Sequence, residues 1–305
     1  CHGEYTDRQD RRYHAQTISC HDCGPMLECR VSDGGYPLGN HRFSVLAHKN
    51  GNQFYGFCED IPHRKPSASE GDANPVRLAA SFIDVGRIIA LKGVGGYNFV
   101  CSPFQETAVK NLRRLKIREE KPFAVMFRDM DQIRRYCYVS PEEETLLSSS
   151  AKPIVLLERR NAPPEGSREA GDRGEICEEV CKTSRFVGAF LPSMGVQFML
   201  IDRCGPLIVT SANLSDMPII KDDEEMFLLQ DSLAQEAAAA GPEDRQGETL
   251  AAVFYNTRKI RVRLDDSVAR VIDGQPQMIR RSKGYAPVPL YINNRLTKQD
   301  MILAT

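Results

Sequence analysis

The sequence predicts a mixed α/β fold, a twisted sheet with flanking helices, preceded by a small segment with no core of its own. Three observations carry this. Short apolar runs of strand length, FAVMF (residues 123–127), PIVLLE (153–158) and PLIVT (206–210), alternate with stretches of helical periodicity, the pattern of an α/β sheet. The 305 residues, 41% hydrophobic and 27% charged, allow one sizeable core with a second small module beside it. The first thirty residues are rich in Asp, Arg and Cys and too poor in apolar residues to pack on themselves.

Taken in order, residues 42–59 alternate apolar and polar about Asn50-Gly51, which predicts a β-hairpin. Residues 63–75 are polar turn formers and mark a domain boundary. Asn74 as N-cap, Pro75 at the first position, apolar Val76, Ala79, Ala80 and Ile83, and Gly86 as stop predict a helix. A strand over 87–91 follows, then the loop KGVGGYNF, and Ser102-Pro103 opens a helix through Val109, Leu112 and Leu115. Helical patterns recur near 129–136 and 141–149, and strands are expected at 253–256, 260–264 and 278–281. Residues 160–173 and 222–248 read as surface insertions without function, the second holding a solvated amphipathic helix with Met226, Leu228, Leu229 and Leu233. No internal repeat is present.

Forty basic and 41 acidic residues leave a net charge of -1, so bulk charge gives no argument for a nucleic-acid or membrane partner. The longest apolar stretch, 187–201, is interrupted by Pro192 and two glycines and is too short to span a bilayer. The charged, aromatic start is unlike a secretory signal, which makes the cytoplasm and reduced thiols the default expectation for the ten cysteines. All six histidines, His2, His14, His21, His41, His48 and His63, lie early in the chain. The main domain therefore has no imidazole base, and its chemistry must rest on positioning and charge.

Lys116, Arg118 and Lys121 crowd together in LRRLKIREEKPFAVM, where three cations repel one another unless an anion joins them. Arg as a planar fork and Lys as a point charge suit a polyphosphate, although a basic last turn also complements a helix dipole. TSANLS (210–215) follows a strand, so Ser211 and Asn213 stand at the sheet's carboxyl edge, able to meet phosphate oxygens or to cap the next helix. Gly93, Gly95 and Gly96 permit close backbone approach but match neither GxxxxGK[ST] nor GxGxxG, so any ATP here is not held in a P-loop. Arg280 belongs to RRSKGYAP, a further basic patch. Cys1, Cys20 and Cys23 make C-x18-C-x2-C, three of the four ligands of a tetrahedral Zn2+ site. The fourth is expected ahead of Cys1, or from His2 or His21. Cys177 and Cys181 read as two unremarkable thiols.

The order of these signals, DRRYHAQ…CHDCGP, IALKGVGGYNFVCS, LRRLKIREEKPFAVM, KPIVLLER, TSANLSDMPI, LDDSVAR and RRSKGYAP, resembles the HypF family, hydrogenase-maturation carbamoyltransferases with a YrdC-like domain. The resemblance implies a finger remnant over 1–33, a hairpin insertion and linker over 34–74, a YrdC-like domain over 75–290, and at 291–305 the start of a carbamoyl-transfer domain. It implies that an acylphosphatase domain precedes the fingers. It also implies that carbamoyl phosphate, ATP and Mg2+ are used to carry a carbamoyl group to a C-terminal cysteine of HypE, toward the cyanide ligand of [NiFe]-hydrogenase. The step expected here is carbamoyl-adenylate formation. By resemblance Lys116 and Arg118 are catalytic, with Lys121 also on the phosphates, Ser211 and Asn213 hold the triphosphate or Mg2+, and Arg280 holds the nucleotide. Lys92 and Gly93 line the acyl pocket, and Ser267 meets the acyl end. The family's LPYTPLH-like segment reads LPSMGVQ here (191–197), a departure in the wall of that pocket. The rival readings are a threonylcarbamoyl-adenylate synthase for tRNA modification, and a YrdC-like module that binds double-stranded RNA or neighbouring domains without turnover.

Overall fold

The computed structural model describes residues 27–32, 43–47, 54–58, 74–160, 174–182, 184–214, 217–239 and 250–286. The elements are β1 (Leu27–Val31), β2 (Phe43–Ala47), β3 (Phe54–Cys58), α1 (Pro75–Asp84), β4 (Ile88–Lys92), β5 (Tyr97–Cys101) and α2 (Glu106–Lys116). They continue with β6 (Ala124–Met126), α3 (Met130–Tyr136), α4 (Pro141–Ser148), β7 (Ile154–Glu158), α5 (Glu178–Cys181) and β8 (Phe186–Phe190). The last are α6 (Gly195–Cys204), β9 (Leu207–Ser211), α7 (Asp223–Ala239), β10 (Leu250–Asn256), β11 (Val268–Ile272) and β12 (Gln275–Arg280). The described strands form one mixed sheet in the order β12-β11-β7-β8-β6-β9-β5-β4-β10-β1-β2-β3.

Side chains alternate across a strand, so a strand buried throughout needs cover on both faces. β4 is such a strand: Ile88 and Ala90 join one core and Ile89 and Leu91 the other. On the first face α2, α3, α4, α5 and α7 contribute Val109, Leu112, Ile133, Leu147, Val180 and Met226. On the second, α1 and α6 contribute Val76, Phe82, Ile83, Leu200 and Ile201. Each apolar side chain withdrawn fully from water in this way contributes about 1.5–3 kcal/mol before entropy is counted.

The expected start of α1 is met in detail: Pro75 opens it and the Asn74 side chain accepts from Val76 N at 2.9 Å. α4 carries a full capping box, Ser140 with Glu143. The hairpin pairs as predicted, Phe43 opposite Cys58, with its turn residues outside those described. It also joins the main sheet, because β2 pairs with β1 and β1 with β10.

Several expectations are corrected. Ser102 caps a turn, accepting from Phe104 N at 3.3 Å, and the helix starts only at Glu106. The loop after Lys92 is short, since Tyr97–Cys101 is a strand of the central sheet. Residues 260–264 are not a strand. The segment beyond residue 222 is no solvated insertion: α7 buries Met226 and Gln230, and Asp223 at its first turn accepts from Tyr97 Oη at 2.6 Å. The 160–173 insertion falls, but for Arg160, outside the described residues.

Candidate active site

A cavity of about 370 Å³ opens on the face of the sheet that carries α1 and α6, beyond those helices. Its floor is sheet: Ala124 of β6, Ile154 and Leu156 of β7, Gly188 of β8, Val209 of β9 and Val268 of β11. Gly188 keeps the floor low, because a Cβ there would stand 2.9 Å from Ile154 Cγ2 and 3.4 Å from Ala124 Cβ. The carboxyl-edge position expected from the sequence is thus only its rim, where Thr210 and Ser211 end β9.

The rim is basic and its backbone unusually close. Arg118, Lys121, Arg280 and Lys283 line it together with Asp265 and Asp266. On the other side lie Gly93, Val94, Gly95 and Gly96, the turn between β4 and β5, closed by Gly93 N donating to Gly96 O at 2.8 Å. A Cβ on Gly95 would lie 2.2 Å from the carbonyl oxygen of Leu264, and one on Gly96 2.5 Å from Ile219 Cδ1. These glycines bring the turn against two other wall segments at once, which any side chain would prevent.

α2 ends at Lys116 because Ile117 takes the left-handed conformation at φ 50° and its N–H donates to Arg114 O. That conformation is strained for a β-branched residue, and strain of about 1–3 kcal/mol of this kind collects at functional sites. Here it separates two cations on adjacent turns of chain. Lys116 is 4% exposed, and its ammonium donates to the carbonyl oxygens of Ser211 and Asn213 and to Asn213 Oδ1, the last at 2.8 Å. Arg118 turns the other way, donating to Pro122 O, to Lys121 O at 3.0 Å and to Thr210 Oγ1 at 3.4 Å, with its guanidinium 4.7 Å from the centre of the Phe123 ring.

The three cations named from sequence therefore meet in space, but in different roles. Arg118 and Lys121 face the cavity, whereas Lys116 lies behind the wall and ties α2 to the TSAN segment. Ser211 faces the cavity and donates to Asn213 Oδ1 at 2.7 Å. Asn213 Oδ1 thus accepts twice, and its amide nitrogen donates to Met217 O at 2.6 Å, which leaves it a strut and not an open Mg2+ ligand. The next helix begins only at Asp223, so neither residue is its N-cap. Arg280 reaches the rim from β12, donating to Asp266 O at 2.8 Å.

Two assigned residues sit elsewhere. Lys92 is 3% exposed and does not line the cavity; its ammonium pairs with Asp223 at 2.6 Å and donates to Asn256 O at 2.8 Å, joining β4, β10 and α7. Ser267 is 1% exposed, donates to Lys283 O at 2.9 Å and accepts from Ser282 N at 2.8 Å, so its hydroxyl shapes the chain that carries Lys283. Gly93 lines the cavity. Cys1, Cys20 and Cys23 lie outside the described residues; among those described, no group of three or more His, Cys, Asp or Glu that could hold a metal ion occurs. Burial pushes the thiols of Cys137 and Cys181 up to about 12 and about 11 and raises those of Cys101 and Cys177, which suits inert packing residues. Residues that sequence reasoning did not single out are Asn98, Lys283 and the pair Asp265 and Asp266. The acidic pair lay in the LDDSVAR motif without any spacing to show that it faces the basic rim.

Burial, reinforced by Arg118 and Lys121, lowers the Lys116 pKa to about 7. Between about 7 and the ordinary 10.5 the unfolded chain holds more protons at this site, so its contribution to stability rises with pH over that window. A polyphosphate at the rim acts in the opposite sense on the lysine. Nucleotide binding at pH 8 is therefore expected to take up protons, read as a dependence of the calorimetric binding heat on buffer ionisation enthalpy, and Lys116→Met is expected to remove that uptake.

Residues 81–282 match the Sua5/YciO/YrdC family, described as telomere recombination, and residues 1–29 match the HypF finger. The carbamoyltransferase HypF of Rhodobacter capsulatus is 32% identical over 288 residues, 94% of this chain and 30% of the relative. The threonylcarbamoyl-AMP synthase of Mus musculus is 28% identical over 159 residues, 52% of each chain. A solved structure of full-length HypF in the phosphate- and nucleotide-bound form is 32% identical, with a TM-score of 0.66 over 94% of this chain and 30% of that one. The chain spans about 30% of the length of the HypF relatives it matches. No helix among the described residues is long and apolar enough to cross a membrane.

Proposed function

We propose, for a chain that belongs to the HypF family through its finger and its Sua5/YciO/YrdC domain, that the cavity joins carbamate to the α-phosphorus of ATP. A carbamate oxygen forms the new bond to phosphorus, the bond to the bridging oxygen of the β-phosphate breaks, and pyrophosphate leaves with the electron pair. Carbamoyl-adenylate remains. The observation that carries this reading is the pairing of an apolar floor with a rim of four cations and a glycine turn.

The reaction asks for charge neutralisation and in-line placement, and needs no proton transfer to the nucleophile. That agrees with a domain in which no histidine follows His63. Arg118, Lys121 and Arg280 are placed to bear on phosphate oxygens, and Ile154, Leu156, Phe186 and Val268 offer an apolar bed for a base. The hard carboxylate oxygens of Asp265, which lines the cavity, suit Mg2+ entering with the nucleotide better than Asn213 does. In the whole protein, carbamate would come from carbamoyl phosphate, and the carbamoyl group would pass to the C-terminal cysteine of HypE in hydrogenase maturation. Zn2+ would belong to the finger.

The test is ATP–pyrophosphate exchange by the 305-residue chain with Mg2+, supplied in turn with ammonium carbamate, with threonine plus bicarbonate, and with no acyl donor. Exchange that requires carbamate is expected. Exchange that requires threonine instead would transfer the chain to the threonylcarbamoyl branch, and ATP binding without exchange would leave only a binding module.

A further inference from the structure

The end of the cavity next to the glycine turn is closed by a residue that no phosphate chemistry needs. Met194 lines the cavity, and its terminal methyl comes within 3.9 Å of where a Cβ on Gly93 would stand. Flexible methionine would make a poor wall by itself, but its backbone here is clamped. Gln197, 4% exposed, turns its side-chain oxygen back to accept from Ser193 N at 2.9 Å and Met194 N at 3.2 Å. One residue earlier, Ser193 Oγ accepts from Lys283 Nζ at 3.0 Å, and the same ammonium pairs with Asp266 at 3.0 Å.

Two properties of this end follow. It is bounded by Met194, whose terminal methyl stands 3.9 Å from the position a Cβ on Gly93 would take. It is also electrically satisfied, because the nearest cation, Lys283, already holds a carboxylate and a hydroxyl. A planar carbamoyl group, small and without a second charge, fits both properties. An N-carboxylated amino acid brings a side chain that meets the methionine and a second carboxylate beside Lys283, which already holds Asp266.

We propose that Met194, with Lys283 neutralised by Asp266, is the specificity determinant that restricts acyl donors at this site to carbamate. This rests on the adenylation reading above. A contact of one or a few methylenes in a pocket is worth about 10–200-fold in discrimination. Met194→Ala should therefore lower the ratio of carbamate-dependent to threonine-plus-bicarbonate-dependent exchange by at least about 10-fold, chiefly by raising the threonine rate. Adding Asp266→Asn, which frees Lys283 for a second carboxylate, should lower the ratio further. Carbamate-dependent exchange with a ratio unmoved in both variants would overturn the assignment of Met194 alone. Threonine-dependent exchange in the unaltered chain would do the same, and absence of exchange with either donor in the unaltered chain would overturn the adenylation reading beneath it.

Discussion

Lys116→Met is expected to lower carbamate-dependent ATP–pyrophosphate exchange by about 10²-fold, the order of loss when a positioning group lets the reacting parts shift by about 1 Å. The reason is positional. All three ammonium hydrogens are used on Ser211 O, Asn213 O and Asn213 Oδ1, so this side chain fixes the segment whose Ser211 faces the cavity. Once nucleotide binding has protonated it, it also adds positive potential behind a rim already lined by Arg118 and Lys121. Folding should change little, because methionine keeps the volume and releases the cost of burying the charge while forfeiting three hydrogen bonds of about 0.5–1.5 kcal/mol each. Lys116→Arg should not restore exchange: a planar fork cannot direct its hydrogens at three oxygens that converge on one point. Asn213→Ala should resemble Lys116→Met, since Asn213 Oδ1 is shared by Lys116 and Ser211. Thermal unfolding alongside the exchange assay separates the cases. Full activity in both variants would remove this segment from the site.

How much of this was visible in the residues follows from the range of the interactions. α1 and α4 begin where their caps are written, because Asn74 and Ser140 act on N–H groups two or three residues away. Lys116, Arg118 and Lys121 stand out as three cations within six residues, and the structure sets Arg118 and Lys121 on the cavity wall with Lys116 behind it. What sequence could not show is which of the three points inward, since that depends on Ile117 adopting φ 50° and on the distant TSAN carbonyls. Lys92 was assigned to the acyl pocket because it adjoins the glycine turn. Strand alternation sends Gly93 to the cavity and Lys92 to Asp223, a partner far along the chain in a helix taken for a solvated insertion. Ser267 fails for a similar reason, its hydroxyl being used by Ser282 and Lys283. Met194 was noticed only as a departure from the family pattern; its place against Gly93 is a tertiary fact.

Arg113 is expected to give the largest loss of stability of any single change near the site, although it is not itself a lining residue of the cavity. Its guanidinium is 6% exposed and stacks 4.8 Å from the centre of the Phe123 ring. Nη1 donates toward the carbonyl oxygens of Arg118, Glu119 and Lys121 at 3.1–3.3 Å, while Nε and Nη2 donate to Glu179 O at 2.9 and 2.6 Å. One side chain thus gathers the whole turn that carries Arg118 and Lys121 and fastens it to α5. Replacing it with methionine removes the partner of several part-buried carbonyls, each worth at most about 1–3 kcal/mol when left unpaired. Partial relaxation toward water makes a net loss of about 2–4 kcal/mol the expected result in urea unfolding. If the loop is held by this fork, the surviving folded enzyme should show a KM for ATP raised by about 10–100-fold, because displacing a positioning group by about 1 Å costs on that order. kcat should fall less, since Arg118 and Lys121 themselves remain. Arg113→Lys should recover little, as a single ammonium cannot span the carbonyls of two segments. A protein that loses stability while keeping its KM for ATP would show that Arg113 holds the core together without aiming the cations.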